Sequence, residues 1–184
     1  MVVLGIDPGT AVTGYGVVAG EPFGSLSLVE CGVIRTNPHD PLPVRLREIY
    51  DDVRDLIVRH RPDAMSVEDV FYAKNVRTTV VLGHARGVIL LAAEQRRLLI
   101  HEYAPAEIKK AVVGTGAATK EQVQFMLTRL LRLKAVPNPS DAADGVAAAL
   151  ACVMGAHVSR LVREADPRAA AYRGTLDVIR GRKP

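Results

Sequence analysis

The chain has 184 residues, and its 48% hydrophobic and 24% charged content suits one globular domain with a full core, which excludes a disordered or fibrous chain. A net charge of +4 and a pI of about 9.3 favour a polyanionic partner over an acidic one. No consecutive apolar run approaches the roughly 18 residues of a membrane span. No basic stretch precedes the first apolar run. Cys31 and Cys152 make no Cys-x-x-Cys pair. The expectation is a cytoplasmic protein with free thiols and no membrane partner.

Val2 to Asp7 reads as a buried strand that ends in a carboxylate, and Pro8-Gly9 turns the chain. Gly14 to Val18 follows as a second strand, so the pair forms a hairpin at the middle of a sheet. Gly24 to Arg35 reads as a third strand. After the proline-rich loop of 37–43, Leu46, Ile49, Tyr50, Val53, Leu56 and Ile57 recur at helical spacing, and Arg61-Pro62-Asp63 stops that helix. Ala64 to Val70 is a strand with Glu68 near its C-terminal end. Asn75 to Arg97 reads as a long helix in which Val76, Val80, Gly83, Gly87, Leu90 and Leu91 share a broad face. Each glycine there costs up to ~1 kcal/mol against alanine, which makes sense if the sheet or a second subunit packs closely on that stripe. Leu98 to Tyr103 is a strand, and Ala104-Pro105 opens a short helix through Val113. After the loop of 114–118, Thr119 begins a helix and forms a capping box with Gln122. Pro137-Asn138-Pro139 breaks the chain, and Ser140 can cap a last helix from Asp141 to about Val162. The order of elements predicts an α/β domain over residues 1–158, a mixed sheet with helices on its faces, followed by a basic, frayed tail over 159–184.

Asp7, Glu68, Asp141 and Asp144 all sit at element ends. A helix between the strands of Asp7 and Glu68 makes those strands parallel, and open α/β sheets gather ligands beyond the carboxyl ends of such strands. Asp141 and Asp144 lie three apart, on one helix face. Carboxylates sharing a pocket repel unless a hard cation such as Mg²⁺ binds them, and two such ions can drive phosphodiester hydrolysis. Taken singly, each acid has a plainer explanation: Asp7 as a turn-former, Glu68 as a rim residue, Asp141 and Asp144 as complements to a helix dipole. Phe71, Tyr72, Lys74 and Arg77 follow the strand of Glu68 and suit base stacking and phosphate contact, or else the rings cover the core. Lys109, Lys110 and Lys120 flank the glycine-rich loop and either bind phosphate or form a solvated face. Gly14 to Ala19 loosely fits a dinucleotide fingerprint, but it lies inside a strand rather than opening a helix. The histidines show no metal-ligand spacing.

Gly5-Ile6-Asp7-Pro8-Gly9-Thr10, Thr13 to Val17, Val67 to Asn75, Leu82 to Val88, Glu102-Tyr103-Ala104, Val112 to Gly116 and Asp141-Ala142-Ala143-Asp144 together resemble the RuvC family of Holliday junction resolvases, of ribonuclease-H-like fold. These stretches run in order through residues 2 to about 158. The resemblance implies a homodimer that nicks opposed strands of a four-way DNA junction in recombination and repair. It implies two Mg²⁺ per site, with Mn²⁺ as a substitute, and 5′-phosphate products. It puts the acidic tetrad on Asp7, Glu68, Asp141 and Asp144, with Asp7 bridging the metals. A junction-probing aromatic falls on Phe71, phosphate-binding lysines on Lys109 and Lys120, and the dimer interface on the helix of Gly83 and Gly87. It also implies a short thymine-containing cleavage sequence and action with the RuvA–RuvB branch-migration complex. The rival readings are an actin-like or sugar-kinase ATPase, which needs a second phosphate motif and about twice the length, a non-catalytic junction binder, and an RNA-directed nuclease of the same fold.

Overall fold

Three strands open the fold as an antiparallel meander: β1 (Val2–Asp7), β2 (Val12–Gly20) and β3 (Leu26–Arg35). The computed structural model describes residues 1–21, 24–69 and 76–165, with 156–165 described by backbone alone. Helix α1 (Leu42–His60) crosses over to β4 (Ala64–Glu68), which pairs with β1 in parallel. Helix α2 (Val76–Glu94) crosses again to β5 (Leu99–Tyr103), parallel to β4. The sheet order is β3-β2-β1-β4-β5, so β1 is central, as the sequence predicts. Helices α3 (Pro105–Val113), α4 (Lys120–Leu130) and α5 (Ser140–Ala165) complete the described residues.

Strand alternation sorts the core into two layers. Leu4, Ile6, Val17, Met65 and Val67 pack against Ile49 and Val53 of α1 and Ile89 of α2. Val3, Val18 and Ala64 face the opposite way, onto Val146, Ala147 and Leu150 of α5, with α3 and α4 outside.

The approach of α5 to the sheet is unusually close because both surfaces lack side chains. A Cβ on Gly5 would lie 2.2 Å from the Gly145 carbonyl oxygen, one on Gly14 1.9 Å from that of Asp141, and one on Gly16 2.5 Å from Val146 Cα. In the other direction, a Cβ on Gly145 would lie 2.5 Å from Tyr15 Cα. The glycines that loosely mimic a dinucleotide fingerprint are thus a groove for a helix backbone. Ser66 Oγ, buried beneath it, donates to the Ala148 carbonyl at 2.7 Å.

Several boundaries differ from expectation. β2 begins at Val12 rather than Gly14, because Thr13 Oγ1 donates to the Gly9 carbonyl at 2.6 Å and closes the turn early. β3 starts at Leu26 and β5 at Leu99. α2 stops at Glu94: Arg97 adopts φ 53°, and the Leu98 amide donates back to the Ala93 carbonyl at 3.2 Å. Ser140 lies inside α5 rather than capping it, and α5 continues to Ala165 past Val162, so the 158/159 division falls within this helix. Helix α2 is long and apolar enough to cross a membrane by length and composition, although no consecutive apolar run is that long. Its Ala85, Ile89, Ala92 and Ala93 are buried in the core.

Candidate active site

The last pair of the β1–β4 ladder is Ile6 with Val67. Asp7 and Glu68 are the next residues, side by side at the carboxyl ends of adjacent parallel strands. By alternation both face the α5 layer, as Gly5 and Ser66 do two residues earlier. On the other side of β1, Asp7 pairs with Gly14, and the Asp141 carbonyl rests on Gly14. The groove therefore seats the first turns of α5 over the end of β1. This brings Asp144 into a cleft of ≈ 290 Å³ lined by Asp7, Glu68, Asp144, Lys109, Lys120 and the apolar Ile108 and Val123.

The helices that supply the lysines have well-defined starts. Glu107 accepts from the Ala104 amide at 2.8 Å at the head of α3, with Pro105 in its first turn. At the head of α4 the expected capping box is present: the Thr119 amide donates to Gln122 Oε1 at 2.8 Å, and the Gln122 amide to Thr119 Oγ1 at 3.3 Å. Lys120 follows this cap, and its Nζ lies 2.7 Å from Asp144 Oδ2.

Burial and crowded negative charge together set the electrostatics of the cleft. Burial, and then the charges of Glu68, Asp144 and Asp141, push Asp7 up from 3.8 to about 7, with Lys120 opposing. Burial and Asp144 raise Glu68 as well, against Lys109 and Lys120. The bond to Asp144 raises Lys120, assisted by the charges of Asp141 and Asp7. Asp141 influences the cleft through its charge but does not line it.

Among the described residues, no three of His, Cys, Asp and Glu gather closely enough to hold one ion as they stand. The donor set is nevertheless what a hard cation takes: carboxylate oxygens only, with Asp7 and Glu68 held above their ordinary titration range by burial first and by neighbouring carboxylate charge second. The ammonium of Lys120 supplies part of that charge here.

The other predicted residues fall elsewhere. Arg77 is exposed in the first turn of α2, and Lys110 does not line the cleft. Gly83 and Gly87 face outward, and a Cβ on either would meet nothing within 4 Å, so the sheet is not what packs on that stripe. Phe71, Tyr72 and Lys74, and the tail beyond 165, lie outside the described residues. Sequence reasoning missed Ile108 and Val123, whose helical spacing reads only as core. It also missed an ion-pair cluster behind the cleft, Arg86 with Asp69 and Glu102, whose members are far apart in the chain.

The chain matches the family model of crossover junction endodeoxyribonuclease RuvC over residues 3–152. It is 49% identical over 152 residues to the crossover junction endodeoxyribonuclease RuvC of Pelotomaculum thermopropionicum, covering 82% of this chain and 91% of that one. The corresponding protein of Desulforamulus reducens is 46% identical over 151 residues, with the same coverage of 82% and 91%. Among solved structures, Thermus thermophilus RuvC in complex with a Holliday junction substrate superposes with a TM-score of 0.83 at 36% identity, covering 86% of this chain and 96% of that one. The mixed sheet with helices on both faces is thus the ribonuclease-H-like fold that the sequence predicts. Sequence, family model and fold agree that this chain belongs to the RuvC family of crossover junction endodeoxyribonucleases.

Proposed function

We propose that this chain is a structure-specific endonuclease that resolves four-way DNA junctions by paired symmetric nicks, in recombination and repair. The observation that carries the reading is the convergence of Asp7, Glu68 and Asp144 in one cleft faced by Lys109 and Lys120. Acids alone would suit a cation store, and lysines alone a phosphate sink; both in one cleft suit a phosphodiester under attack.

Asp7, Glu68 and Asp144, assisted by Asp141, would hold two Mg²⁺ ions, with Mn²⁺ as a substitute. Such ions supply a water nucleophile at neutral pH and charge for the leaving oxygen, giving 5′-phosphate ends. Lys109 and Lys120 draw the backbone phosphate into the cleft, and Lys120 offsets charge at the scissile group. Ile108 and Val123 wall the cleft with apolar surface, which strengthens each charge interaction inside it. Phe71 and Tyr72 would stack on junction bases while Lys74 and Arg77 meet phosphates.

A homodimer completes the reading, since a two-fold enzyme matches a two-fold junction. The α2 stripe supports it, with Val80 54% and Leu91 50% exposed beside the open Gly83 and Gly87. Residues 1–158 are taken as the nuclease domain and 159–184 as a basic tail, in a cytoplasmic enzyme that works with the RuvA–RuvB complex.

The test is a labelled four-way junction beside a matched linear duplex, each with Mg²⁺, Mn²⁺ or chelator. Paired nicks in the junction alone, abolished by chelator, are expected. Junction binding without nicks under either metal would make this a binding protein. Cleavage of an RNA–DNA hybrid in preference to the junction would make it an RNA-directed nuclease.

A further inference from the structure

We propose that Arg86 is a positioning residue for the cleft: from behind the sheet it neutralises Asp69 after β4 and Glu102 of β5, whose repulsion would otherwise part the two strand ends and displace Glu68. The inference rests on the reading of Glu68 as a metal-holding carboxylate. Arg86, Asp69 and Glu102 come from three separate stretches of the family resemblance, and that resemblance gives none of them a task.

In the fold the three meet. Arg86 Nη2 lies 3.4 Å from Asp69 Oδ1 and pairs directly with Glu102 Oε2. The β4–β5 ladder explains why this matters. Val67 pairs with Glu102 and Glu68 with Tyr103, and the Asp69 amide donates to the Tyr103 carbonyl at 2.8 Å, so the pairing runs one residue past Glu68. Successive residues of a strand point to opposite faces. Glu68 therefore faces α5 and the cleft, while Asp69 faces α2, as Val67 does in the α1–α2 core. One guanidinium holds the residue that follows Glu68 and the residue that precedes its ladder partner.

The exposures indicate what the cluster is for. The Arg86 side chain is 20% exposed, whereas those of Asp69 and Glu102 are 44% and 47% exposed. Ion pairs to such open carboxylates contribute little to stability. The Nε of Arg86 is buried without an acceptor among the described residues, which is itself unfavourable. Net stabilisation is thus a poor account of the cluster. Alignment of two strand ends is a better one. Without Arg86, Asp69 and Glu102 would repel each other at the end of the sheet that carries Glu68.

The test compares wild type, Arg86→Ala and the triple variant Arg86→Ala/Asp69→Asn/Glu102→Gln, which removes the cation and the repulsion together. Three quantities are read: Mn²⁺ affinity by calorimetry, junction affinity in chelator, and kcat against KM for nicking. For Arg86→Ala, Mn²⁺ affinity falls about tenfold and kcat about 10–100-fold, the usual range for supports of metal ligands. Junction affinity in chelator is unchanged, and the triple variant regains most of both losses. Unchanged Mn²⁺ affinity and kcat in Arg86→Ala would overturn the proposal. So would a loss confined to junction affinity that the triple variant does not restore, because that is the signature of a DNA contact. Should Arg86→Ala fail to fold, the triple variant and Arg86→Lys are measured instead, and a triple variant with wild-type folding but tenfold weaker Mn²⁺ binding would equally overturn it. Wild-type nicking tests the nuclease reading, whereas the ratio of variant to wild-type Mn²⁺ affinity tests the positioning role of Arg86.

Discussion

Asp7 titrates near 7 because burial and three neighbouring carboxylates all disfavour its charge. An acid whose folded pKa lies above its unfolded value binds more protons when folded, so stability falls as pH rises between the two values. For Asp7 that window runs from 3.8 to about 7, and the cost is fully present above it. Raised Glu68 acts in the same direction. The metal-free protein is therefore expected to lose stability from this site between pH 4 and 7, which a series of denaturant titrations in chelator would read. Asp7→Asn removes the charge at nearly constant shape. It should raise the stability of the metal-free protein at pH 8 by about 2–4 kcal/mol, keep junction binding and abolish nicking. Lost junction binding in a folded Asp7→Asn protein would put Asp7 outside the catalytic role. Adding Mg²⁺ should raise the Tm of wild type more at pH 8 than at pH 5, and that of Asp7→Asn much less. Equal metal shifts in both proteins would separate the metal from Asp7.

Among the elements, α5 transmits sequence to site most directly. Gly→Ala inside a helix ordinarily gains up to ~1 kcal/mol. At Gly145 the new Cβ would meet Tyr15 backbone atoms at 2.5 to 2.7 Å, and backbone does not yield as a side-chain tip does. Overpacking outweighs propensity, so Gly145→Ala should destabilise by about 2–4 kcal/mol and lower kcat by shifting Asp144, its immediate neighbour. A stabilised or fully active Gly145→Ala would mean that the helix can lift off the sheet freely. Helix ends behave in the opposite way. Arg61, Arg97 and Arg132 take φ of 44°, 53° and 52° at the ends of α1, α2 and α4, where glycine is the usual residue. The left-handed conformation costs an L-residue about 1 kcal/mol. Arg97→Gly, at an exposed position, should therefore stabilise by about 0.5–1 kcal/mol in denaturant unfolding without altering nicking. A loss of stability would show that the Arg97 side chain makes up more than its backbone costs.

On the scale of the whole molecule, the unresolved balance is the outer face of α2. Val76, Val80 and Leu91 are 78%, 54% and 50% exposed, and Leu99 of the neighbouring edge strand is 69% exposed. Apolar side chains flanking two open glycines let another backbone come close, and a second copy of the chain does so in the proposed dimer. Leu91→Glu would put a charge into that contact and leave the core untouched. Sedimentation should then give a monomer where wild type gives a dimer, with paired nicks replaced by single ones. A dimer that survives Leu91→Glu would place the contact on another face.

Periodicity and punctuation alone determined the element order, the parallel pairing of the strands of Asp7 and Glu68, and the Thr119–Gln122 cap. These are local consequences of alternation, crossover and side-chain hydrogen bonding, and they survive in any context. Bringing Asp7 and Glu68 together needed nothing further, because adjacent parallel strands end at the same level. Three things waited for the tertiary structure. Spacing puts Asp141 and Asp144 on one helix face and cannot rank them; the seat of α5 on Gly5, Gly14 and Gly16 makes Asp144 the one that lines the cleft. The glycine stripe of α2 fits equally well against a sheet or a second subunit, and only its exposure excludes the sheet. The Arg86 cluster joins residues from three segments, and no local pattern records a charge pairing across elements. A one-dimensional pattern carries which face a residue occupies; which faces meet, and how closely, is decided by packing of the whole chain.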